Sequence, residues 1–341
     1  MSKILNKIKR INVAKLIRKF PISNERKNKL IASLYYYLKL KPQTLVLDTV
    51  SKCNALCPFC PHSIIGIKGT YIDKNLFYKV VDEAKALGIK ECRLYSTGEP
   101  LMHPNIDEFI DYLRKNNFFI ILSTNGEFLD KHFEAVSKVD WVKFSIEGWD
   151  KESYEYYRKN CHFEKVKENI KNFNYYLKNK KNKPTTSISV MINKETNLTK
   201  FLNLWKPIVD RIDYSATGNM IKWTDGKPEQ LKFEGRLKEN MWDYQKKQGY
   251  KYCSAPFEEV VVSAKGNAIL CCNDFDDFTN MIDLQKFTIK DFLNTKERKQ
   301  HQKQFLKQHM DICAGCGALE EMTDKSQDHY NKIVNSLNEQ N

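Results

Sequence analysis

No apolar run in the chain is long enough to cross a bilayer. Near the start, lysine or arginine interrupts every apolar stretch, so no signal peptide is expected. Acid is almost absent from the same region. Residues 1–42 hold twelve Lys/Arg against one carboxylate, Glu25, and so carry +11 of the net +14. The remaining 299 residues carry only +3, which argues against a polyanion groove in the body and against a dedicated nucleic-acid binder. No internal repeat and no low-complexity block is found, and no cysteine follows Cys316.

What the chain does have is ten cysteines in 341 residues, at 53, 57, 60, 92, 161, 253, 271, 272, 313 and 316. Without a secretory leader these imply a reducing, cytoplasmic setting and metal-bound thiolates rather than disulfides. Three of them form C-x3-C-x2-C, in Lys52-Cys53-Asn54-Ala55-Leu56-Cys57-Pro58-Phe59-Cys60, just after a strand-like run at 44–48. Three thiolates on one tight loop can hold three irons of a cubane and leave the fourth open. An open iron can bind a cofactor, whereas a closed four-cysteine site only passes electrons.

Apolar strand candidates at 44–48, 91–96, 118–123, 141–146, 186–192 and 211–215 alternate with helical patterns at about 73–87, 104–115, 127–137, 162–178 and 196–206. This alternation predicts an α/β fold, a partial (β/α)6 TIM-type barrel with its site at the C-terminal strand ends. At those ends lie the three cysteines, then Ser96-Thr97-Gly98-Glu99-Pro100, then Ser123-Thr124-Asn125-Gly126, then Ser145 and Glu147, then Asn193. Residues 1–42 form a basic helical extension, 43–215 the barrel, 216–250 a linker, 251–323 a small domain of β-hairpin plus helix, and 324–341 a polar tail. The hairpin is expected at 258–271 around Lys265-Gly266-Asn267, with a helix at about 289–308. Lys3, Lys7 and Arg10 share one helix face beside Ile4, Ile8 and Ile11. That arm is either a solubilising helix packed on the body or a surface for anionic lipid or an acidic protein.

The cysteine triplet, with Phe59 before its third member and Gly98-Glu99-Pro100 at the next strand end, resembles the radical S-adenosylmethionine (radical SAM) superfamily. The family usually has a second glycine before Glu-Pro; here that position is Thr97. The resemblance implies a [4Fe–4S] cluster on Cys53, Cys57 and Cys60, with S-adenosylmethionine chelating the open iron. It places Phe59 near the adenine above an apolar wall of Val190-Met191-Ile192, and Gly98, Glu99 and Pro100 at the methionyl ammonium. Ser145 and Glu147 would face the ribose and carboxylate end, and Asn125 and Asn193 would line the pocket.

In the C-terminal part Cys253 precedes Gly266 by a twelve-residue gap, Gly266-x4-Cys271 follows, and Cys313-x2-Cys316 closes the set. This is similar to the abbreviated SPASM, or twitch, auxiliary domain, and implies a second [4Fe–4S] cluster on Cys253, Cys271, Cys313 and Cys316. Cys272 could replace Cys271, and a structural zinc site is the alternative for the quartet. Cys92 and Cys161 are expected to be structural.

Among twitch proteins the spacing is close to that of the 2-deoxy-scyllo-inosamine dehydrogenases. That implies hydrogen abstraction from a carbon bearing a hydroxyl, with the auxiliary cluster accepting the remaining electron. The substrate would be a sugar, cyclitol or glycan precursor, and flavodoxin or ferredoxin would be the electron donor. The proton-accepting base is left open among Arg93, Tyr95, Tyr157 and Arg158. A peptide maturase is the rival enzyme, although 42 residues are few for an N-terminal peptide-recognition domain; an iron–sulfur electron carrier is the rival outside enzymology.

Overall fold

Thr44–Leu47 (β1) is buried at every position, as a strand covered on both faces must be. Around it a nine-stranded sheet is assembled from Glu91–Leu94 (β2), Phe119–Thr124 (β3), Trp141–Ser145 (β4), Thr185–Ile192 (β5), Arg211–Ala216 (β6), Glu259–Val262 (β9), Asn267–Ile269 (β10) and Ile282–Asp283 (β11), in the order β11-β10-β9-β1-β2-β3-β4-β5-β6. Strands β1 to β6 run parallel in sequence order. This computed structural model describes residues 13–193, 195–216, 221–224, 227–230, 253–275 and 277–307. Lys3, Lys7, Arg10, Cys313, Cys316, the tail at 324–341 and most of the expected linker lie outside the described residues.

The two faces of the parallel strands are chemically different. Cys92, Leu94, Ile120, Leu122, Val142, Phe144, Ile188 and Val190 point outward into one continuous core. The helices that cover them bury residues at three- and four-residue spacing: Leu76, Phe77, Val80, Val81 and Ala84 on Lys74–Ala86, and Ile106, Phe109, Ile110 and Leu113 on Ile106–Lys115. Phe77 and Phe109 stack at 3.7 Å between these two helices. Each such fully buried side chain contributes roughly 1.5–3 kcal/mol. Asp73 starts the first helix by accepting the Leu76 N–H at 2.9 Å. Cys92 is thus a core residue, as expected.

The hairpin of the C-terminal region does not stand apart from the barrel. β9 pairs in parallel with β1, and β10 and β11 continue antiparallel from it. The pairing covers the edge that β1 would otherwise leave bare. Gly266 makes the turn at φ +90°, a left-handed conformation that suits glycine.

Two other expectations are corrected. The stretch 127–137 is a 3-10 turn, Leu129–Lys131, followed by a single helical turn, Phe133–Val136. The helix at 289–308 is two helices, Ile289–Asn294 and Lys296–Leu306, because Thr295 is extended at ψ 148° and caps the second. Within the linker, Ile221–Thr224 (β7) and Lys227–Gln230 (β8) pair as an antiparallel ribbon.

The described part of the basic extension folds onto the body. Helices Val13–Ile17 and Asn24–Tyr37 bury Ala14, Ile17, Ile31, Ala32 and Tyr35 against Phe257, Leu270 and Phe305. Arg18 reaches Glu258 at 2.5 Å. No helix among the described residues is long and apolar enough to cross a membrane.

Candidate functional site

The chain leaving β1 is clamped by two glycines before it reaches the cysteines. A Cβ on Gly98 would lie 2.1 Å from the Val50 carbonyl oxygen and 2.4 Å from that of Lys52; one on Gly69 would lie 2.7 Å from the Lys52 Cα and N. Only glycine lets three backbone segments approach so closely. The Glu99 N–H donates to the Lys52 carbonyl at 2.9 Å, tying the loop after β2 to the cysteine loop. Cys60 then forms the N-cap of a short helix, Pro61–Ile65, that begins with proline.

Cys57 is buried and Cys53 and Cys60 are half-buried. Burial drives all three thiols toward the neutral form, Cys57 to about 11, and repulsion from the neighbouring cysteines adds to it at Cys53 and Cys57. Thiolates so placed need a multiply charged cation to exist at neutral pH, which iron supplies. Among the described residues no three His, Cys, Asp or Glu side chains close on a single metal ion.

Glu99 is buried, and its carboxylate is consumed within the fold. It accepts from Thr124 Oγ1 at 2.6 Å, from the Asn125 N–H at 2.7 Å and from the Leu101 N–H at 3.1 Å. Burial raises its pKa and these donors oppose the rise. Asn125 also donates from Nδ2 to Asn54 Oδ1 at 2.8 Å, so the end of β3 holds the cysteine loop as well. Thr97, which stands where a second glycine is usual, donates its hydroxyl to the buried carboxylate of Asp48. Burial lifts Asp48 from 3.8 to about 7 against those hydrogen bonds. Sequence reasoning missed Asp48; its signal is a lone acid ending an otherwise apolar strand.

On the opposite flank, Arg158 holds Glu147 through two hydrogen bonds, one of 2.9 Å, and its Nη1 lies 3.6 Å from Cys57 Sγ. Its guanidinium lies 5.5 Å from the centre of the Phe59 ring. Tyr157 donates to Glu195 at 2.7 Å and receives Asn193 Nδ2 at 2.7 Å, beside Phe59. Ser145 Oγ sits 3.5 Å from Ser123 Oγ. Cys161, expected to be merely structural, lies against the cysteine loop, where Asn54 Nδ2 meets its sulfur at 3.5 Å.

Along β2, β4, β5 and β6 the inner wall of the barrel is polar. Arg93 bridges Glu91 at 2.7 Å and Glu259 at 2.8 Å. Lys143 lies 4.1 Å from the centre of the Trp141 ring, and Trp141 donates Nε1–H to Ser187 at 2.8 Å. Burial lowers the Lys143 pKa, and its charge also responds to Asp213 on β6 and to Arg93 and Glu91 on β2, which places these groups around one lumen. Tyr95 packs with Val46, Val261, Ile269 and Cys272, and burial lifts its phenol to about 12. Cys272 therefore belongs to the lumen. Cys253 packs beside the cluster of Phe257 and Leu270, and Cys271 follows β10.

Comparison with known proteins agrees with this geometry. A family model described as the radical SAM superfamily matches residues 48–199, and one for an iron–sulfur cluster-binding domain (SPASM) matches residues 253–317. A PqqA peptide cyclase of Gluconobacter oxydans is 26% identical over 110 residues, 31% of this chain and 30% of that protein. A tungsten-containing aldehyde ferredoxin oxidoreductase cofactor-modifying protein of Pyrococcus furiosus is 30% identical over 107 residues, 30% of each. The matched stretch is thus under a third of these curated relatives. Among solved structures, BtrN in complex with AdoMet and 2-DOIA aligns with TM-score 0.52 and 17% identity over 84% of this chain and 97% of that one. Streptococcus suis SuiB bound to precursor peptide SuiA aligns with TM-score 0.60 and 13% identity over 92% of this chain and 80% of that one. At such identities the likeness is one of fold.

Proposed function

The chain belongs to the radical SAM superfamily and carries a SPASM iron–sulfur domain, and from that premise we propose that it oxidises an alcohol on a sugar, cyclitol or glycan precursor. Its cofactors are S-adenosylmethionine and [4Fe–4S] clusters. Cys53, Cys57 and Cys60 would hold the first cluster; Cys253, Cys271, Cys313 and Cys316 would hold the auxiliary one. Reductive cleavage of the bound S-adenosylmethionine supplies a hydrogen-abstracting radical.

The observation that carries the substrate class is the lumen wall. Glu91, Arg93, Lys143, Ser145 and Asp213 offer both signs of charge and a hydroxyl where an apolar substrate would require an apolar lining. Phe59, Gly98, Glu99, Pro100, Asn125, Ser145, Glu147 and Asn193 would frame the cofactor. Alcohol oxidation would take one hydrogen atom from the substrate carbon and a proton from its hydroxyl, and an auxiliary cluster on Cys253, Cys271, Cys313 and Cys316 would supply an acceptor for the remaining electron.

Of the groups considered for the proton, Arg93, Tyr157 and Arg158 are engaged by Glu259, Glu195 and Glu147. Tyr95 and Lys143 face the lumen, and burial favours the neutral form of Lys143, the form that accepts a proton. Incubation with sugars or cyclitols deuterated at carbinol carbons should move label into 5′-deoxyadenosine; failure across such candidates would reject the reading.

A second reading is peptide maturation, favoured by the 26% identity to a peptide cyclase and tested by label transfer from a peptide. A flavodoxin or ferredoxin would supply the electron. Exposed Leu16 and Leu30 on helices Val13–Ile17 and Asn24–Tyr37, with Phe20 in the turn between them, support a peripheral contact with anionic lipid.

A further inference from the structure

Among the described residues, Arg158 is the cation seated directly on a cysteine of the triplet. Its Nη1 lies 3.6 Å from Cys57 Sγ, while Nη2 donates to Glu147 Oε1 at 2.9 Å and Nε to Glu147 Oε2. The pair is almost sealed from water, with side chains 14% and 4% exposed. The Phe59 ring covers one side of the guanidinium. Its backbone is held as well: the Arg158 N–H donates to the Tyr154 carbonyl at 2.8 Å, and the Leu56 N–H of the cysteine loop donates to the Lys159 carbonyl at 2.9 Å. The Cys57–Arg158 contact thus joins two segments already locked to each other.

We propose that the Arg158–Glu147 pair sets the reduction potential of the N-terminal cluster, Arg158 raising it through Cys57 Sγ and Glu147 restraining that effect. Reduction adds one negative charge to the cluster and its sulfurs. A hydrogen-bond donor carrying a full positive charge stabilises the reduced form more than the oxidised form, and hydrogen bonds to the sulfurs are a recognised lever on such potentials. In a dry site the interaction is weakly screened. Glu147 holds the far side of the same guanidinium, so the net field at Cys57 is the difference between two opposite charges. The proposal rests on a cluster at the triplet and is independent of which substrate is oxidised.

The test is an EPR-monitored redox titration of the anaerobic holoprotein without S-adenosylmethionine, with the N-terminal signal identified by its response when that compound is later added. Arg158→Gln should make the cluster harder to reduce by at least tenfold in the equilibrium constant, about 59 mV for a one-electron couple. Glu147→Gln should move the potential upward, and Arg158→Lys should stay near the parent. Shifts of the same sign in the two glutamine variants, or none, would overturn the proposal. Should a variant fail to hold iron, the unmodified protein decides. With arginine labelled by 15N in the guanidinium, pulsed EPR of the reduced cluster should show a 15N coupling, and its absence overturns the assignment.

Discussion

Gly98→Ala is the substitution whose cost can be worked most directly from the structure. The new Cβ would stand 2.1 Å from the Val50 oxygen and 2.4 Å from the Lys52 oxygen, whereas carbon and oxygen settle at about 3.3 Å or more. Both obstacles are backbone, so no rotamer change relieves them. Overpacking typically costs about 1–3 kcal/mol, and forcing the segments apart stretches the Glu99 N–H to Lys52 bond of 2.9 Å, which contributes about 1 kcal/mol more. A loss of about 2–4 kcal/mol is expected, a large share of the roughly 5–15 kcal/mol that stabilises a typical fold. Gly88→Ala is the control. Gly88 has a positive φ, +85°, and nothing lies within 4 Å of the place its methyl would take, so only the left-handed backbone cost of about 1–2 kcal/mol applies. Anaerobic urea unfolding followed by tryptophan fluorescence measures both, and iron content reports whether the cysteine loop still assembles. If Gly98→Ala were no more destabilised than Gly88→Ala and held full iron, the account of how the two loops are clamped would be wrong.

Asp48 gives a pH dependence of stability. Its folded pKa of about 7 lies above the ordinary 3.8 because burial dominates, so the folded chain binds this proton more tightly than the unfolded one. The resulting stability, about 4 kcal/mol for a shift of about three units, is fully present below about pH 4 and is lost as pH rises to about 7. Asp48→Asn should flatten that slope in urea unfolding measured across the interval; an unchanged slope would mean another group is responsible. Cys316→Ala should retain part of the reductive cleavage of S-adenosylmethionine but lose substrate turnover, as measured by 5′-deoxyadenosine and product formation. Full turnover by this variant would remove the electron-accepting role from the auxiliary centre.

The barrel was legible because its strands carry two signals at once. Outward positions such as Leu94, Leu122 and Val142 are apolar, and the helices between strands repeat at three and four residues. The cysteine triplet and Gly98 were legible because their chemistry is local: ligand spacing is set within one loop, and a glycine beside it signals close approach. What was hidden depends on partners distant in sequence. Nothing local to Glu259–Val262 says that it pairs with Thr44–Leu47. Arg158 and Glu147 were both named from the sequence, but their pairing, and the contact of Arg158 with Cys57, exist only once the chain is folded. The broken stretches at 127–137 and 289–308 keep helical composition on both sides of a turn, so periodicity alone ran them together. Lys143 was overlooked because a charged residue on a strand normally faces solvent, whereas here it faces a polar lumen.

The most direct measurement of the central claim is EPR of the reduced N-terminal cluster, recorded in a Cys253→Ala/Cys271→Ala protein, before and after S-adenosylmethionine is added. Three cysteine ligands leave one iron open, so the spectrum should change when the sulfonium compound binds there. A spectrum that stays the same at saturating concentration would contradict coordination at that iron, and with it the chemistry assigned to the chain.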